Sequence, residues 1–294
     1  MTIDDFISRY EAGMQALVRL PRSQALSAYE RLAATFYHHD ERIQQIDDRL
    51  AGVGIKRFKC QWQPPRESPI QPPQAPIVYI HGGGWTYGSS DSHRAAAQGL
   101  ALGLEREVIS VNYRLLPEAN YLTALEDCLA VIRHVSPAVI AGDSAGGRLA
   151  IDAVHQYRRG GANVVLGLIY PVVDTPRLEL LGPDAPLFSR ADVLSAWQLI
   201  ADEAPRWCDQ QPPAPGIEIL SVEHDPLSPM IAQAAARWRH QGAVVGEHMA
   251  HGMVHSALQA YMSLDNMASA WQHFCQALRT QIQHQQSSQH RRVP

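Results

Sequence analysis

A serine in a glycine-rich turn is the first residue of this sequence that could do covalent chemistry. Residues 142–146 read Gly-Asp-Ser-Ala-Gly, follow the short apolar run 138–141 and precede a segment with helical spacing of apolar residues. A strand, a sharp turn carrying serine and then a helix is typical of a nucleophile elbow. In that arrangement the Ser144 hydroxyl stands at the carboxyl end of a sheet, at a helix N-terminus that favours negative charge. The prediction that Ser144 is a nucleophile depends on what the rest of the chain supplies.

A second glycine-rich motif could stabilise the negative charge that such a nucleophile generates. Residues 81–85 read His-Gly-Gly-Gly-Trp and follow the apolar run 77–80. Successive glycines can turn backbone N–H groups toward a bound oxygen with no Cβ in the way. Fixed donors of this kind form an oxyanion hole. The patterns of phosphate-binding glycine loops are absent from the sequence.

A serine nucleophile needs a base and an orienting acid, which in this arrangement follow it along the chain. Asp225 follows the predicted strand 217–222, and His255 lies just past the predicted strand 244–249. Both positions fall at carboxyl ends of strands, on the edge that Ser144 occupies. Alternatives from the residues alone are Asp174 as the acid and His251 as the base. His248 lies inside a predicted strand, which favours a structural role.

Five motifs in chain order resemble those of the hormone-sensitive-lipase-like family of α/β-hydrolase esterases. They are His-Gly-Gly-Gly-Trp at 81–85, Asn-Tyr-Arg-Leu-Leu-Pro-Glu at 112–118, Gly-Asp-Ser-Ala-Gly-Gly at 142–147, Asp-Pro-Leu at 225–227 and Gly-Met-Val-His at 252–255. The resemblance covers about residues 50–280. It implies that Ser144 is the nucleophile, Asp225 rather than Asp174 the acid, and His255 rather than His251 the base. It also implies an oxyanion hole formed by the N–H groups of Gly83, Gly84 and Ala145.

The resemblance implies a carboxylesterase that acts on small-molecule esters with short acyl chains. Members of the family are often dimers, so a homodimer is an open expectation. Three departures from the family pattern concern the pocket: Arg148 stands where asparagine is common, residues 228–230 read Ser-Pro-Met, and Ala257 replaces a common phenylalanine. An amidase or formamidase is an alternative, because kynurenine formamidases carry a similar His-Gly-Gly-x-Trp motif. A non-catalytic ligand-binding protein is another; plant gibberellin receptors are similar but lack the histidine.

The alternation of short apolar runs with amphipathic helices predicts an α/β fold with a mostly parallel sheet flanked by helices. Besides a strand at 54–61, strands are expected at 77–80, 108–112, 138–141, 164–170, 217–222 and 244–249. The predicted organisation is an N-terminal helical cap over residues 1–50 and a catalytic domain over 51–282. A proline-rich connector follows the strand at 54–61, and an insertion at 171–215 is expected to shape the pocket. Residues 283–294 are predicted to be a disordered tail.

The amino-acid composition argues against several classes of function. The chain has 294 residues, is 46% hydrophobic and carries a formal net charge of −4, which argues against a nucleic-acid surface. The four cysteines lie far apart without a Cys-x-x-Cys pair, which favours free thiols in a reducing compartment. The first residues lack the apolar core of a signal peptide, and the longest apolar run, 164–173, is too short to span a membrane. We therefore expect a cytoplasmic enzyme without membrane insertion, metal or cofactor.

Overall fold

An eight-stranded sheet organises the protein. A computed structural model describes residues 1–61, 74–205 and 211–290, with side chains up to residue 285. The strands lie in the order β1-β2-β4-β3-β5-β6-β7-β8; β1 and β2 pair antiparallel, β2 pairs antiparallel with β4, and the remaining neighbours are parallel. The bounds are β1 Ile43–Leu50, β2 Val53–Cys60, β3 Ile77–Ile80, β4 Val108–Asn112, β5 Val139–Asp143, β6 Val165–Ile169, β7 Gly216–His224 and β8 Val244–Val254. The predicted α/β fold with a mostly parallel sheet is confirmed.

Helices cover both faces of this sheet. Every residue of β3, β5 and β6 is buried, as expected for continuous apolar strands covered on two sides. Helices α3 and α8 pack together on one face, α4 and α5 pack together on the other, and α7 packs against β7 and β8. The helices are α1 Ile3–Leu17, α2 Arg22–Ala34, α3 Arg94–Leu104, α4 Tyr121–Val135, α5 Ser144–Arg158, α6 Arg190–Gln198, α7 Ser228–His240 and α8 Asp265–His290.

The N-terminal prediction was wrong for its last part. Residues 1–50 were expected to be helical, but only α1 and α2 are, and β1 begins at Ile43. The apolar Ile43 and Ile46 have helix-like spacing, yet β1 pairs along its whole length with β2. Ala51 and Gly52 both adopt left-handed conformations (φ 51° and 84°), which is the geometry of a tight two-residue hairpin turn. Because Ala-Gly is not a typical sequence for that turn, the hairpin was not recognised.

The C-terminal prediction was also wrong for residues 283–290, and residues 291–294 lie outside the described residues. Residues 283–294 were expected to be disordered, but α8 continues to His290. Composition alone pointed to disorder, whereas adding residues to an existing helix needs no new nucleation. Gln281, two residues before this segment, holds α8 to the sheet by donating to Glu218 on β7.

Two segments outside the central sheet reach the same edge of it. Helices α1 and α2 form one, and the insertion after β6, with a short 3-10 turn at Leu178–Leu180 and then α6, forms the other. The proline-rich connector falls mainly on residues 62–73, outside the described residues. Cys60, Cys128 and Cys275 are free thiols, and Cys208 lies outside the described residues. Among the described helices, none has the length and apolar character needed to cross a membrane.

Candidate active site

Ser144 occupies a strained turn between β5 and α5. Its φ is +50°, a left-handed conformation that non-glycine residues rarely adopt and that occurs at functional turns. A glycine two residues later allows α5 to pass close to the neighbouring strand, because a Cβ on Gly146 would lie 2.2 Å from the carbonyl oxygen of Ile80. A strand, a sharp turn at Ser144 and a helix therefore follow one another, which is the local arrangement that the sequence predicts.

The structure brings Ser144, His255 and Asp225 into one hydrogen-bonded row. Ser144 Oγ lies 2.9 Å from His255 Nε2, and His255 Nδ1 lies 2.7 Å from Asp225 Oδ2. Asp225 and His255 are both buried. The other Asp225 oxygen accepts a hydrogen bond from the backbone N–H of Leu227 at 2.9 Å, which fixes the carboxylate. A carboxylate facing Nδ1 holds a proton there, so Nε2 is left as the acceptor that faces the serine.

The alternative acid and base are engaged elsewhere. Asp174 forms an ion pair with Arg237 at 2.9 Å. The His251 side chain is 76% exposed and lies 3.4 Å from Glu223. His248 lies 2.8 Å from the buried Glu218, in keeping with a structural role. The geometry thus favours Asp225 and His255 over these alternatives.

Two aromatic rings enclose the His255 imidazole. Phe188 stacks on it with centroids 4.2 Å apart and planes at 22°, and Tyr170 packs against it at 4.5 Å and 48°. Tyr170 follows β6 and Phe188 comes from the insertion. Sequence reasoning missed both residues. The position of Tyr170 at a strand's carboxyl end was an available signal, whereas nothing in the sequence linked Phe188 to His255.

The His-Gly-Gly-Gly-Trp loop is fixed by Asp143, the residue before the serine. Asp143 Oδ1 accepts hydrogen bonds from the Gly82 N–H at 2.9 Å and the Tyr79 hydroxyl at 2.5 Å. His93 Nε2 lies 3.5 Å from the other oxygen. Burial raises the pKa of Asp143, but His93 and the hydrogen bond from Tyr79 outweigh it, so that the pKa is below its usual value. A charged Asp143 therefore anchors the loop, a role that sequence reasoning did not assign.

The anchored loop presents its glycines beside the serine. Gly83 and Gly84 have φ of 105° and 60°, and they line the same cavity as Ser144 and Ala145. Trp85 donates from Nε1 to the Ala145 carbonyl oxygen at 3.0 Å, which ties the loop to the start of α5. The three predicted oxyanion-hole residues thus line one cavity together with Ser144.

His81 packs behind this loop and is neutral. Its ring stacks on Tyr113 at 4.3 Å and on His93 at 5.3 Å. Burial, with a contribution from His93, lowers the pKa of His81 to about 3. His81 is therefore a packing residue of the loop rather than a proton carrier.

A cavity of about 560 Å³ opens above Ser144. The N-terminal helices contribute Tyr10, Met14 and Tyr29 to its lining, and the insertion contributes Leu187, Phe188 and Val193. Two segments far apart in sequence therefore enclose the space over the hydrogen-bonded row.

Comparison with known proteins agrees with this architecture. A family model described as alpha/beta hydrolase fold matches residues 77–259, more than half of the chain. The chain belongs to the α/β-hydrolase fold family. This hydrolase-fold chain is 33% identical over 180 residues to carboxylesterase NlhH of Mycobacterium tuberculosis, a match that covers 51% of the chain and 56% of NlhH. It is 30% identical over 187 residues to human hormone-sensitive lipase, covering 57% of the chain and 17% of the lipase.

A solved structure of an esterase from the bacterial hormone-sensitive lipase family has the same fold. Its TM-score is 0.76 at 21% identity, and the match covers 94% of this hydrolase-fold chain and 98% of that one. The resemblance to the hormone-sensitive-lipase-like family is confirmed. The aligned part of the chain spans about half the length of the first curated relatives that it matches.

Arg148, one of the departures from the family pattern, joins α5 of this hydrolase fold to the insertion. The side chain is buried, and its Nε donates to Asp152 at 3.0 Å. Its terminal nitrogens donate to the carbonyl oxygens of Val173 at 3.2 Å and of Pro205. The guanidinium also lies 5.3 Å from the centroid of the Trp197 ring on α6. Arg148 therefore contacts the insertion that lines the cavity at Val173 near its start, at Trp197 on α6 and at Pro205.

We expect Arg148→Met to lower the free energy of unfolding by about 3–5 kcal/mol, because it leaves a buried charge without its partner. Burial raises the pKa of Asp152, although Arg148 opposes this. The measurement is urea unfolding. The double variant Arg148→Met/Asp152→Asn should recover part of the loss, since a neutral amide can still accept from Tyr121. Equal losses in the single and double variants would contradict this explanation.

Proposed function

We propose that this protein is a serine carboxylesterase that hydrolyses small esters through an acyl-enzyme intermediate. In this proposal Ser144 is the nucleophile, His255 the general base and acid, and Asp225 the residue that orients His255. The N–H groups of Gly83, Gly84 and Ala145 form the oxyanion hole. The observation that carries the proposal is the row of two hydrogen bonds from Asp225 through His255 to Ser144 at a strained elbow.

The first half-reaction transfers the acyl group to the serine. Ser144 Oγ attacks the ester carbonyl carbon while its proton moves to His255 Nε2. The carbonyl oxygen becomes negative and accepts hydrogen bonds from the oxyanion hole, where one donor stabilises the transition state by about 3–4 kcal/mol in other hydrolases. The bond from the carbonyl carbon to the alcohol oxygen then breaks. His255 donates its proton to that oxygen, and the alcohol leaves.

The second half-reaction releases the acid. Water attacks the acyl carbon and gives a proton to His255 Nε2, and a second oxyanion forms in the same hole. Collapse of this intermediate breaks the bond to Ser144 Oγ, which regains the proton from His255. Asp225 stays ionised throughout and stabilises the imidazolium that forms in each half-reaction. The rings of Phe188 and Tyr170 support this role because aromatic faces attract a cation.

A preference for short acyl chains is supported by the size and lining of the cavity. Leu187, Phe188 and Val193 form an apolar surface beside Ser144, and the exposed carboxylates of Glu11 and Asp192 also line the cavity. A short acyl chain can be buried against the apolar surface. The outer methylenes of a long chain would reach the charged positions and gain little from burial.

We expect hydrolysis of p-nitrophenyl esters to be fastest at four to six acyl carbons and to fall about tenfold by sixteen, because only the inner methylenes are buried. The measurement is kcat/KM across acyl lengths, with the uncatalysed rate subtracted. The matching butyryl p-nitroanilide tests the amidase alternative. Faster cleavage of the anilide, or of the sixteen-carbon ester, would contradict the proposed preference.

The cytoplasmic location and the homodimer stay predictions.

A further inference from the structure

One wall of the active-site cavity is rich in hydroxyl groups that the catalytic row does not use. Tyr10 on α1 and Tyr29 on α2 lie with their hydroxyl oxygens 3.3 Å apart, and both rings are buried. The Ser256 hydroxyl lies beside Tyr10, where its hydrogen bonding opposes the rise in the pKa of Tyr10 that burial causes. All three residues line the cavity above Ser144.

The three hydroxyl groups carry more protons than the hydrogen bonds among them require. The hydrogen bond between the two tyrosines consumes one proton, and a bond between Ser256 and Tyr10 would consume a second. Three hydroxyls carry three protons, so at least one donor is directed to a group other than these three. No other described side chain forms a hydrogen bond with the tyrosine pair. Because buried hydroxyls need a hydrogen-bond partner, the occupant of the cavity is the natural acceptor.

Gln259 supplies an independent sign of a ligand at the same wall. It is only 6% exposed, lines the cavity, and lies one turn beyond Ser256 in the 3-10 turn Ala257–Ser263. Its side-chain amide forms no hydrogen bond with any described residue. The amide atoms are not enclosed by protein, so they are open to the cavity and to a group bound in it. We call Tyr10, Tyr29, Ser256 and Gln259 the polar wall.

The charges around the cavity limit what the polar wall can bind. Among the described residues that line the cavity, none is lysine or arginine, whereas Glu11 and Asp192 are acidic. An anionic substituent would meet these carboxylates without a cation to balance it. The hydroxyls and the amide instead suit a neutral oxygen. Leu187, Phe188 and Val193, which the insertion contributes to the lining, suit hydrocarbon.

We infer that the polar wall binds a neutral oxygen-bearing group of the substrate, such as a keto, ether or hydroxyl group. The substrates of this enzyme would then be esters that carry both a hydrocarbon portion and a hydrogen-bonding oxygen. This inference rests on the proposed esterase function. It also gives the N-terminal helices a function, since Tyr10 and Tyr29 belong to them.

Two pairs of isosteric substrates test the inference and distinguish the acyl from the alcohol portion. The acyl pair is p-nitrophenyl 4-oxopentanoate against p-nitrophenyl 4-methylpentanoate, and the alcohol pair is 2-methoxyethyl butyrate against butyl butyrate. We expect wild-type kcat/KM to favour the oxygen-bearing member of one pair by about five- to tenfold, the value of a net neutral hydrogen bond or two. Rates are corrected for each ester's uncatalysed hydrolysis.

Variants of the polar wall then show whether it causes that preference. Tyr29→Phe and Gln259→Leu keep most of the side-chain volume and should bring the ratio of kcat/KM values within each pair close to one. Tyr157→Phe, on α5 and outside the cavity lining, is the matched control and should keep the wild-type ratio.

The outcomes separate this inference from the proposed function. If wild-type enzyme hydrolyses both members of each pair equally well, the esterase proposal stands and the polar wall has no such role. Equal losses on both members in Tyr29→Phe and Gln259→Leu would also overturn it, because they would indicate a merely structural role. If wild-type enzyme hydrolyses none of the four esters, the proposed function fails and the inference fails with it.

Discussion

Replacing Ser144 with alanine is expected to lower kcat/KM for p-nitrophenyl butyrate by about 10⁴-fold or more. In the proposed mechanism the variant lacks the atom that attacks the carbonyl, so that only direct attack by water remains. The fold should be little affected, because the hydroxyl bonds only to His255 among the described residues. Thermal unfolding of both proteins checks this point.

A fluorophosphonate probe gives a second measurement of the same prediction. It should label the wild-type protein on the peptide that carries Ser144 and leave Ser144→Ala unlabelled. Ser27→Ala, on the exposed face of α2, is a matched control and should be labelled like wild type. Substantial activity in Ser144→Ala would contradict the assignment of the nucleophile, and an unlabelled wild-type protein would favour a non-catalytic binding function.

The central sheet and the positions of the catalytic candidates could be read from the sequence for one physical reason. Strands β3, β5 and β6 are buried on both faces, so each is a continuous apolar run with clear ends. The carboxyl ends of parallel strands lie on one edge of the sheet. Residues that follow those strands, such as Ser144, Asp225 and His255, are therefore brought together.

The remaining parts of the site depend on contacts between distant segments. Phe188 reaches His255 because of the path of the insertion, and Arg148 helps to fix that path through carbonyl oxygens, which carry no sequence signal. The sequence shows Asp143 only as part of a motif, although its hydrogen bond from the Gly82 N–H anchors the His-Gly-Gly-Gly-Trp loop. Local patterns predict which residues end a strand, but not which loop packs on them.

The choice between two histidines only four residues apart is the sharpest test of the proposed site. His251 lies within β8 with its side chain 76% exposed, whereas His255 follows β8, is buried and contacts both Ser144 and Asp225. We expect His255→Ala to lower kcat/KM for p-nitrophenyl butyrate by about 10⁴-fold, because no base accepts the serine proton. His251→Ala should change it by less than about twofold, since surface substitutions far from the chemistry have small effects.

Both variants need the same check of folding, because His255 also packs between two aromatic rings. Equal unfolding midpoints for His255→Ala and wild type would assign the loss to chemistry rather than to lost packing. Similar losses of activity in the two variants would contradict the assignment of His255, because the exposed His251, paired with Glu223, has no direct route to the serine proton. If His255→Ala loses activity and His251→Ala does not, the explanation is that the base must lie within hydrogen-bonding distance of Ser144. His255 Nε2 lies within that distance of Ser144 Oγ.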